Sequence, residues 1–222
     1  GLTFTETTLD DFVGGENLFK YSDLSNSTSH GWDWLISGTG TTNANATTDP
    51  LGGNNAVKIT AGTNNTLKLF RANSVPNVSS GTTVTASLYV KNAGGRYVIF
   101  YLIDSASRML KVDLQTGTII SNTADSGTIE ALDNDWYRIS FTRTLDANLG
   151  NIFVSPSLDG QNVTFAGNGS DGIFIFGAQL NNNSLKKFQP TTGTARDGNA
   201  SVVVLYNQTG GEDAIQATQA HQ

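Results

Sequence analysis

Cysteine is absent from this chain of 222 residues, and there are only two histidines. Without cysteine there is no disulfide framework, and no thiolate can act as a nucleophile or bind a metal. His30 lies in a serine-rich stretch and His221 next to the C-terminus. Two such histidines are poor candidates for a hydrolytic triad, and they are too few for a histidine metal cluster. The sequence therefore predicts a protein that is not an enzyme and that uses no metal and no other cofactor.

Basic charge is scarce as well. The formal net charge is −6 and the sequence pI is about 4.7. Nucleic-acid binding needs clustered lysine and arginine to displace counterions, so no nucleic-acid partner is expected. No apolar run approaches the ~20 residues that cross a bilayer, which predicts no membrane partner. The start, GLTFTETTLDDF, lacks the basic and apolar regions of a secretory signal, so secretion is not expected.

Two pairs of neighbouring carboxylates are present, Asp10 with Asp11 and Asp133 with Asp135. Glycosidase acids must stand across a cleft at a defined separation. Closely spaced aspartates more often form turns and caps, because the short side chain bonds to nearby backbone N–H groups. We interpret these pairs as turn formers.

The residues that are plentiful, glycine with threonine, serine and asparagine, favour strands joined by turns over helices. Apolar and polar residues alternate over 84–90 and 136–142, a pattern typical of strands with one buried face. The nearly continuous apolar runs 97–103 and 173–178 indicate strands covered on both faces. Weaker strand candidates are 57–60, 67–70, 110–114, 152–158 and 202–206. Many short strands between turn signals predict an all-β, antiparallel β-sandwich, a jelly roll, with extended N- and C-terminal arms.

The ends of the chain differ from its middle. Residues 1–15 resemble an N-terminal arm, 16–196 form the sandwich domain, and 197–222 are a C-terminal strand and tail. The strand SVVVLY needs a partner, because an unpaired edge with exposed valine and leucine is unfavourable. We expect it to mediate assembly or attachment through five residues: Val202, Val203, Val204, Leu205 and Tyr206.

Six segments in order resemble a known domain: ENLFKYSDLSN, TASLYVKNAGGRYVIFYL, DLQTG, DWYRISFT, GNGSDGIFIFGAQL and PTTGTAR. Together they are similar to the jelly-roll domain found repeatedly in bacteriophage virion proteins, which is related to carbohydrate-binding modules. In that family the strand ending in Gly-Ala-Gln-Leu closes the sandwich, and Pro-Thr-Thr-Gly leads the chain out. The resemblance implies that Gly177 bends the strand where it leaves the sheet. It also implies that Pro190 stands where no ladder donor is needed.

The chain departs from that family at two positions. Asp135 replaces a common glycine, and Asn181 replaces a common glutamate. The second change removes an acidic group near the place where some relatives bind a structural calcium ion, so the resemblance carries over no metal site.

The resemblance implies a virion structural protein, either a capsid decoration protein or a head-fibre subunit, exposed on the virion surface. Its partners would be other virion proteins and copies of itself, with a trimer expected from the fibre analogy. The alternative is a non-catalytic carbohydrate-binding module, or a tail fibre or receptor-binding protein, that recognises a cell-surface polysaccharide.

Aromatic residues offer the candidates for a glycan site. Trp32 and Trp34 stand at i and i+2, so they share one side of an extended segment, where sugars could stack on their rings. Packing at the end of the sandwich is the favoured interpretation of these tryptophans, because large aromatic side chains are usually buried. Arg96, Tyr97 and Tyr101 lie on or beside the most apolar strand and complete the candidate set. Trp136 belongs to a family motif, so we interpret it as part of the scaffold.

Overall fold

A computed structural model describes residues 15–22, 24, 31–34 and 40–196. Within them, fourteen strands and one 3₁₀ turn, Asp133–Asp135, follow one another. The strands are β1 Trp32–Trp34, β2 Gly40–Thr47, β3 Ala56–Ala61, β4 Thr66–Leu67, β5 Phe70–Ala72, β6 Thr83–Ala93, β7 Tyr97–Ile103, β8 Ser107–Asp113, β9 Thr118–Asn122, β10 Ser126–Ala131, β11 Tyr137–Thr144, β12 Asn151–Ser157, β13 Thr164–Phe165 and β14 Gly172–Asn182. No helix in these ranges is long and apolar enough to cross a membrane. The N-terminal arm up to residue 14 and the predicted strand 202–206 lie outside the described residues.

Two six-stranded antiparallel sheets make up the sandwich. One has the order β1-β5-β12-β7-β8-β9, and the other has the order β10-β11-β6-β14-β3-β2. Taking β3, β5, β6, β7, β8, β11, β12 and β14 in chain order, the chain crosses between the sheets at most steps, as in the two interlocked Greek keys of a jelly roll. The predicted all-β sandwich is thereby confirmed.

The core lies between the two sheets. The inward residues of β6 are Val84, Ala86, Leu88 and Val90, and all of them are fully buried, as the alternation predicted. Across the sandwich, Phe100 of β7 meets Phe141 of β11 edge to face, with ring centroids 5.0 Å apart. Such pairs contribute about 0.5–1.5 kcal/mol beyond the area that they bury.

The prediction that β6 is half-buried was wrong. Its outward residues Thr85, Ser87 and Tyr89 are also buried. The loop at 183–188 covers this face: the Thr85 hydroxyl donates to the Asn183 carbonyl at 2.5 Å, and the Phe188 ring lies 5.7 Å from that of Tyr89. Alternation within a strand cannot reveal this cover, because it comes from a segment about a hundred residues further along the chain.

The two continuous apolar runs both form strands, as predicted. Burial on both faces is confirmed for β7 but not for 173–178, where the outward Phe174 and Phe176 are only partly buried. In β7, Val98 and Leu102 point into the core, whereas Ile99 and Tyr101 pack in a second cluster with Phe153 on the outside of the sheet.

Gly177 was expected where its strand leaves the sheet, but it lies in the middle of β14, which continues to Asn182. Phe176 pairs with Tyr89 and Gln179 with Ser87, so β14 carries one extra residue there. Gly177 has a φ of +62°, the left-handed conformation that glycine adopts in bulges of this kind. The glycine therefore bends a continuing strand.

Candidate functional site

The segment that enters the sandwich, residues 16–22, pairs with the segment that leaves it, residues 189–196. Asn17 and Arg196 exchange both backbone hydrogen bonds, at 2.7 and 2.8 Å. Further along, Gly193 N–H donates to the Lys20 carbonyl at 2.7 Å, and Tyr21 forms a bridge with Thr192. We call these two paired segments the terminal clamp. Because of the clamp, both ends of the described domain lie side by side.

The buried side chain of Asn17 holds the clamp to the sandwich. Its amide nitrogen donates to the carbonyls of Ala178 (3.1 Å) and Gln189 (2.9 Å). Its amide oxygen accepts from the backbone N–H groups of Phe19 (3.1 Å) and Leu180 (3.2 Å). One amide thus joins the entry segment, the exit segment and β14, a role that needs both donors and acceptors on a single side chain.

Asn181, the residue in place of the family's glutamate, is part of the same region and is fully buried. Its amide nitrogen donates to the Glu16 carbonyl at 2.6 Å, and its oxygen accepts from the Gln179 side chain at 2.8 Å. The carboxylate nearby is that of Glu16, which accepts from the Asn182 N–H and lies 3.2 Å from the Lys186 ammonium. Across the described ranges, no group of three His, Cys, Asp or Glu side chains is arranged to hold a metal.

The structure places Trp32 in the core. It is 1% exposed and contacts the rings of Phe19 and Phe70, with centroids at 6.0 and 6.1 Å. A buried ring cannot stack on a sugar, so the favoured interpretation, packing, applies to Trp32. Trp34 pairs with Phe70 in β1, and its side chain lies outside what the structure describes.

Arg96 and Tyr97 are brought together at the surface. The Arg96 side chain is 46% exposed, and its guanidinium lies 4.9 Å from the centre of the Tyr97 ring. Two of its nitrogens bind the Asp113 carboxylate, at 3.0 and 2.5 Å. Tyr101 is separated from this pair: it is covered by Phe153 and its neighbours, and burial raises its pKa to about 12. Of the predicted glycan residues on β7, only Tyr97 thus stands beside Arg96 near the surface.

The Arg96–Asp113 pair predicts a loss of stability in acid. Hydrogen bonding from Arg96 lowers the pKa of Asp113 to about 2. Since the unfolded carboxyl titrates near 3.9, unfolded chains bind more protons between these values. The stabilisation is therefore complete above about pH 4 and is lost as the pH falls towards 2. We expect Asp113→Asn to unfold more easily than the wild type at pH 7 and to lose less stability between pH 5 and 2.5.

Urea unfolding across that pH range measures the difference, with Asp133→Asn, an exposed turn carboxylate, as the matched control. Some acid sensitivity persists in Asp113→Asn, because backbone N–H groups of Asn162 and Gln161 hold the pKa of Asp159 below its usual range. Parallel pH profiles of Asp113→Asn and wild type would contradict the prediction.

A cleft that the sequence did not indicate lies on the other sheet. It has a volume of about 690 Å³ and opens between β2, β3, the middle of β14 and the exit segment. Phe176 and Phe188 contribute aromatic surface, and Asn45 and Asn55 contribute amides. The only sign of it in the sequence is a pair of phenylalanines near a glycine: Phe176 directly precedes Gly177, and Phe188 follows eleven residues later. The resemblance assigned that stretch to the segment by which the chain leaves the sandwich, so no cleft was predicted there.

Comparison with known proteins adds no family to this description: no family model matches the chain, and no curated protein matches it. The fold that is shown is an all-β sandwich of two sheets.

Proposed function

We propose that this chain is a bacteriophage virion structural protein, a capsid decoration or head-fibre subunit that displays its jelly roll on the virion surface and performs no catalysis. The observation that supports the proposal best is the terminal clamp. The motif resemblance over residues 16–196 supplies the virion context, and the clamp supplies a physical reason for display.

The clamp fixes where the domain can be attached. Because Asn17 and Arg196 are hydrogen-bonded neighbours, the two ends of the described domain lie at one place. Attachment at this one place would leave the surfaces away from the clamp accessible. In this proposal the strand 202–206, next to that place in sequence, supplies the attachment through Val202, Val203, Val204, Leu205 and Tyr206, either to another virion protein or to copies of the chain.

The proposal is tested by removing the attachment segment and leaving the clamp intact. We expect the full chain to co-sediment with empty heads of the phage that encodes it, and to form a homo-oligomer by light scattering. A version ending at Arg196 should be monomeric, should fail to bind heads, and should melt at the same temperature. Val203→Asp in the full chain, which places a charge in the strand, should reproduce the loss without a truncation. Monomeric full chain that does not bind heads would overturn the proposal.

The alternative function, recognition of a polysaccharide by a carbohydrate-binding module or tail fibre, is compatible with display. Glycan binding at Arg96 and Tyr97 stays a prediction. The two side chains lie together near the surface, but the Arg96 guanidinium already donates hydrogen bonds to Asp113. The cleft on the opposite sheet gives this alternative a different location.

A further inference from the structure

The cleft combines a rigid apolar floor with a polar rim. Its volume of about 690 Å³ is within the ~300–1,000 Å³ usual for ligand pockets. Ligand pockets of this kind are mostly apolar, with a few fixed polar groups that orient the ligand.

Packing holds the aromatic floor in place. The rings of Phe176 and Phe188 are 5.5 Å apart, and Phe188 also meets Tyr89 edge to face at 5.7 Å. Phe188 lies against Gly177, where a side-chain carbon would come within 3.0 Å of its ring. The glycine bulge in β14 therefore leaves room for Phe188 on the strand, and the contacts among Tyr89, Phe176 and Phe188 hold the two phenylalanine rings in place before any ligand binds.

One aspartate builds the rim. Both oxygens of the buried Asp49 carboxylate accept hydrogen bonds, from the N–H groups of Leu51 (2.9 Å), Gly53 (3.1 Å) and Asn55 (3.2 Å) and from the Asn55 side chain (3.0 Å). The loop that results projects Leu51, 63% exposed, and the Asn55 amide over the cleft. On the other side, a bulge in β2 presents Asn45 in a left-handed conformation with a φ of +54°.

One described residue carries the charge at the cleft. Among the described residues that line it, Asp49 is the one with an ionisable carboxyl or amine, and its carboxylate already accepts four hydrogen bonds within its own loop. An acidic ligand would lose hydration there without gaining a cationic partner among these residues, which is unfavourable. Asparagine amides, by contrast, both donate and accept, so they match neutral hydroxyl groups.

We propose that this cleft binds a neutral saccharide, with an apolar sugar-ring face against Phe176 and Phe188 and hydroxyl groups hydrogen-bonded to Asn45 and Asn55. A purely aliphatic ligand would offer no hydrogen bond to the Asn45 amide or to the Asn55 amide oxygen that it covers, and an acidic one would find no counter-charge among the described lining residues. The assignment concerns a different sheet from Arg96 and Tyr97, and it does not depend on where the protein is displayed.

The test titrates two sets of hexasaccharides into the full ¹⁵N-labelled chain and follows the NMR signals of the backbone and side-chain amides. The neutral set contains hexamers of β-glucan, xylan, mannan and chitin, and the acidic set contains hexamers of galacturonate and sialate. We expect at least one neutral hexamer to shift the Gly177 backbone and the Asn45 and Asn55 side-chain amides. We expect the acidic hexamers to bind at least tenfold more weakly.

Two variants assign the site. Phe176→Leu, which keeps most of the volume and removes the aromatic face, should weaken binding about tenfold, as loss of ~1.4 kcal/mol implies. Ala44→Arg, at an exposed rim position, should block the cleft without removing a contact, so it tests the site even if Phe176→Leu is unstable. Phe165→Leu, in β13 and away from the cleft lining, is the matched control and should bind normally, whereas Tyr97→Leu tests the other predicted location.

Three outcomes would overturn the assignment. One is no shift with any neutral hexamer, and a second is shifts confined to the surroundings of Tyr97. The third is cleft shifts that appear on concentrating the protein without sugar, which would make a second copy the occupant. None of these bears on head binding by residues 202–206, so this assignment and the display proposal can fail separately.

Discussion

Replacing Asn17 by alanine is expected to lower the free energy of unfolding by about 4 kcal/mol, because it leaves several buried backbone groups without partners. The Asn17 amide donates to the carbonyls of Ala178 and Gln189 and accepts from the N–H groups of Phe19 and Leu180. Each buried group left unsatisfied costs about 1–3 kcal/mol, and relaxation of the shared site makes the total smaller than the sum.

Urea unfolding with the linear extrapolation measures this loss, provided that the slope is unchanged. Asn17→Asp should be nearly as damaging, because the carboxylate cannot donate to the two carbonyls. The exposed Asn54→Ala is the matched control and should change stability by less than about 0.5 kcal/mol. A loss below 1 kcal/mol for Asn17→Ala would mean that the clamp contributes little to the fold.

The same substitution bears on attachment. If the clamp opens, residues 16–22 and 189–196 separate, and the two ends no longer leave the sandwich together. Head binding by folded Asn17→Ala, compared with wild type at a temperature where both are native, would show whether paired ends matter for display. Unchanged binding would assign attachment to residues 202–206 alone.

Local patterns predicted the sandwich and the central strands of both sheets, but they did not predict the edge strands β2, β9 and β10. β7 is a continuous apolar run and is buried on both faces, as such a run predicts. β11 presents Ile139 and Phe141 to the core at a period of two, as predicted, but the prediction that its other face is exposed was wrong, because Arg138 and Ser140 are buried too. β2 was not predicted: Gly40–Thr47 reads GTTNANAT, has no apolar alternation, and is a strand because it pairs with β3 at the edge of the sheet. Such a strand depends on its neighbour, and its own composition gives little sign of it.

For the candidate sites too, local sequence predicted some features, and others arise only when strands assemble. The surface pair Arg96 and Tyr97 could be inferred from the sequence, because Arg96 directly precedes Tyr97, the first residue of β7. The cleft could not be inferred, because Asn45, Asn55 and Phe176 meet only after β2, β3 and β14 have assembled into one sheet. For Trp32, the size of the side chain favoured burial and the structure agrees, since the ring is buried against Phe19 and Phe70.

Gly172→Ala is the second substitution with a large expected effect, a loss of about 3 kcal/mol, at the upper end of the range for overpacking a core. Two other stretches of backbone, β3 and the turn at Gly94 and Gly95, converge on this residue. It pairs with Thr60 of β3, and its carbonyl accepts from the Gly95 N–H at 2.8 Å. A side-chain carbon at Gly172 would collide with the Ile59 carbonyl, which is backbone and cannot rotate away.

The matched control for Gly172→Ala separates crowding from backbone conformation. Gly52→Ala places a methyl group where nothing lies within 4 Å, but at a φ of +88°, so it should cost only the ~1–2 kcal/mol of a left-handed residue. Thermal unfolding of both variants gives the comparison. If Gly172→Ala were no worse than Gly52→Ala, β3 and β14 would have to separate slightly at little cost. Because β14 also carries Phe176 and Gly177, the same movement would widen the cleft, and a change in saccharide affinity would reveal it.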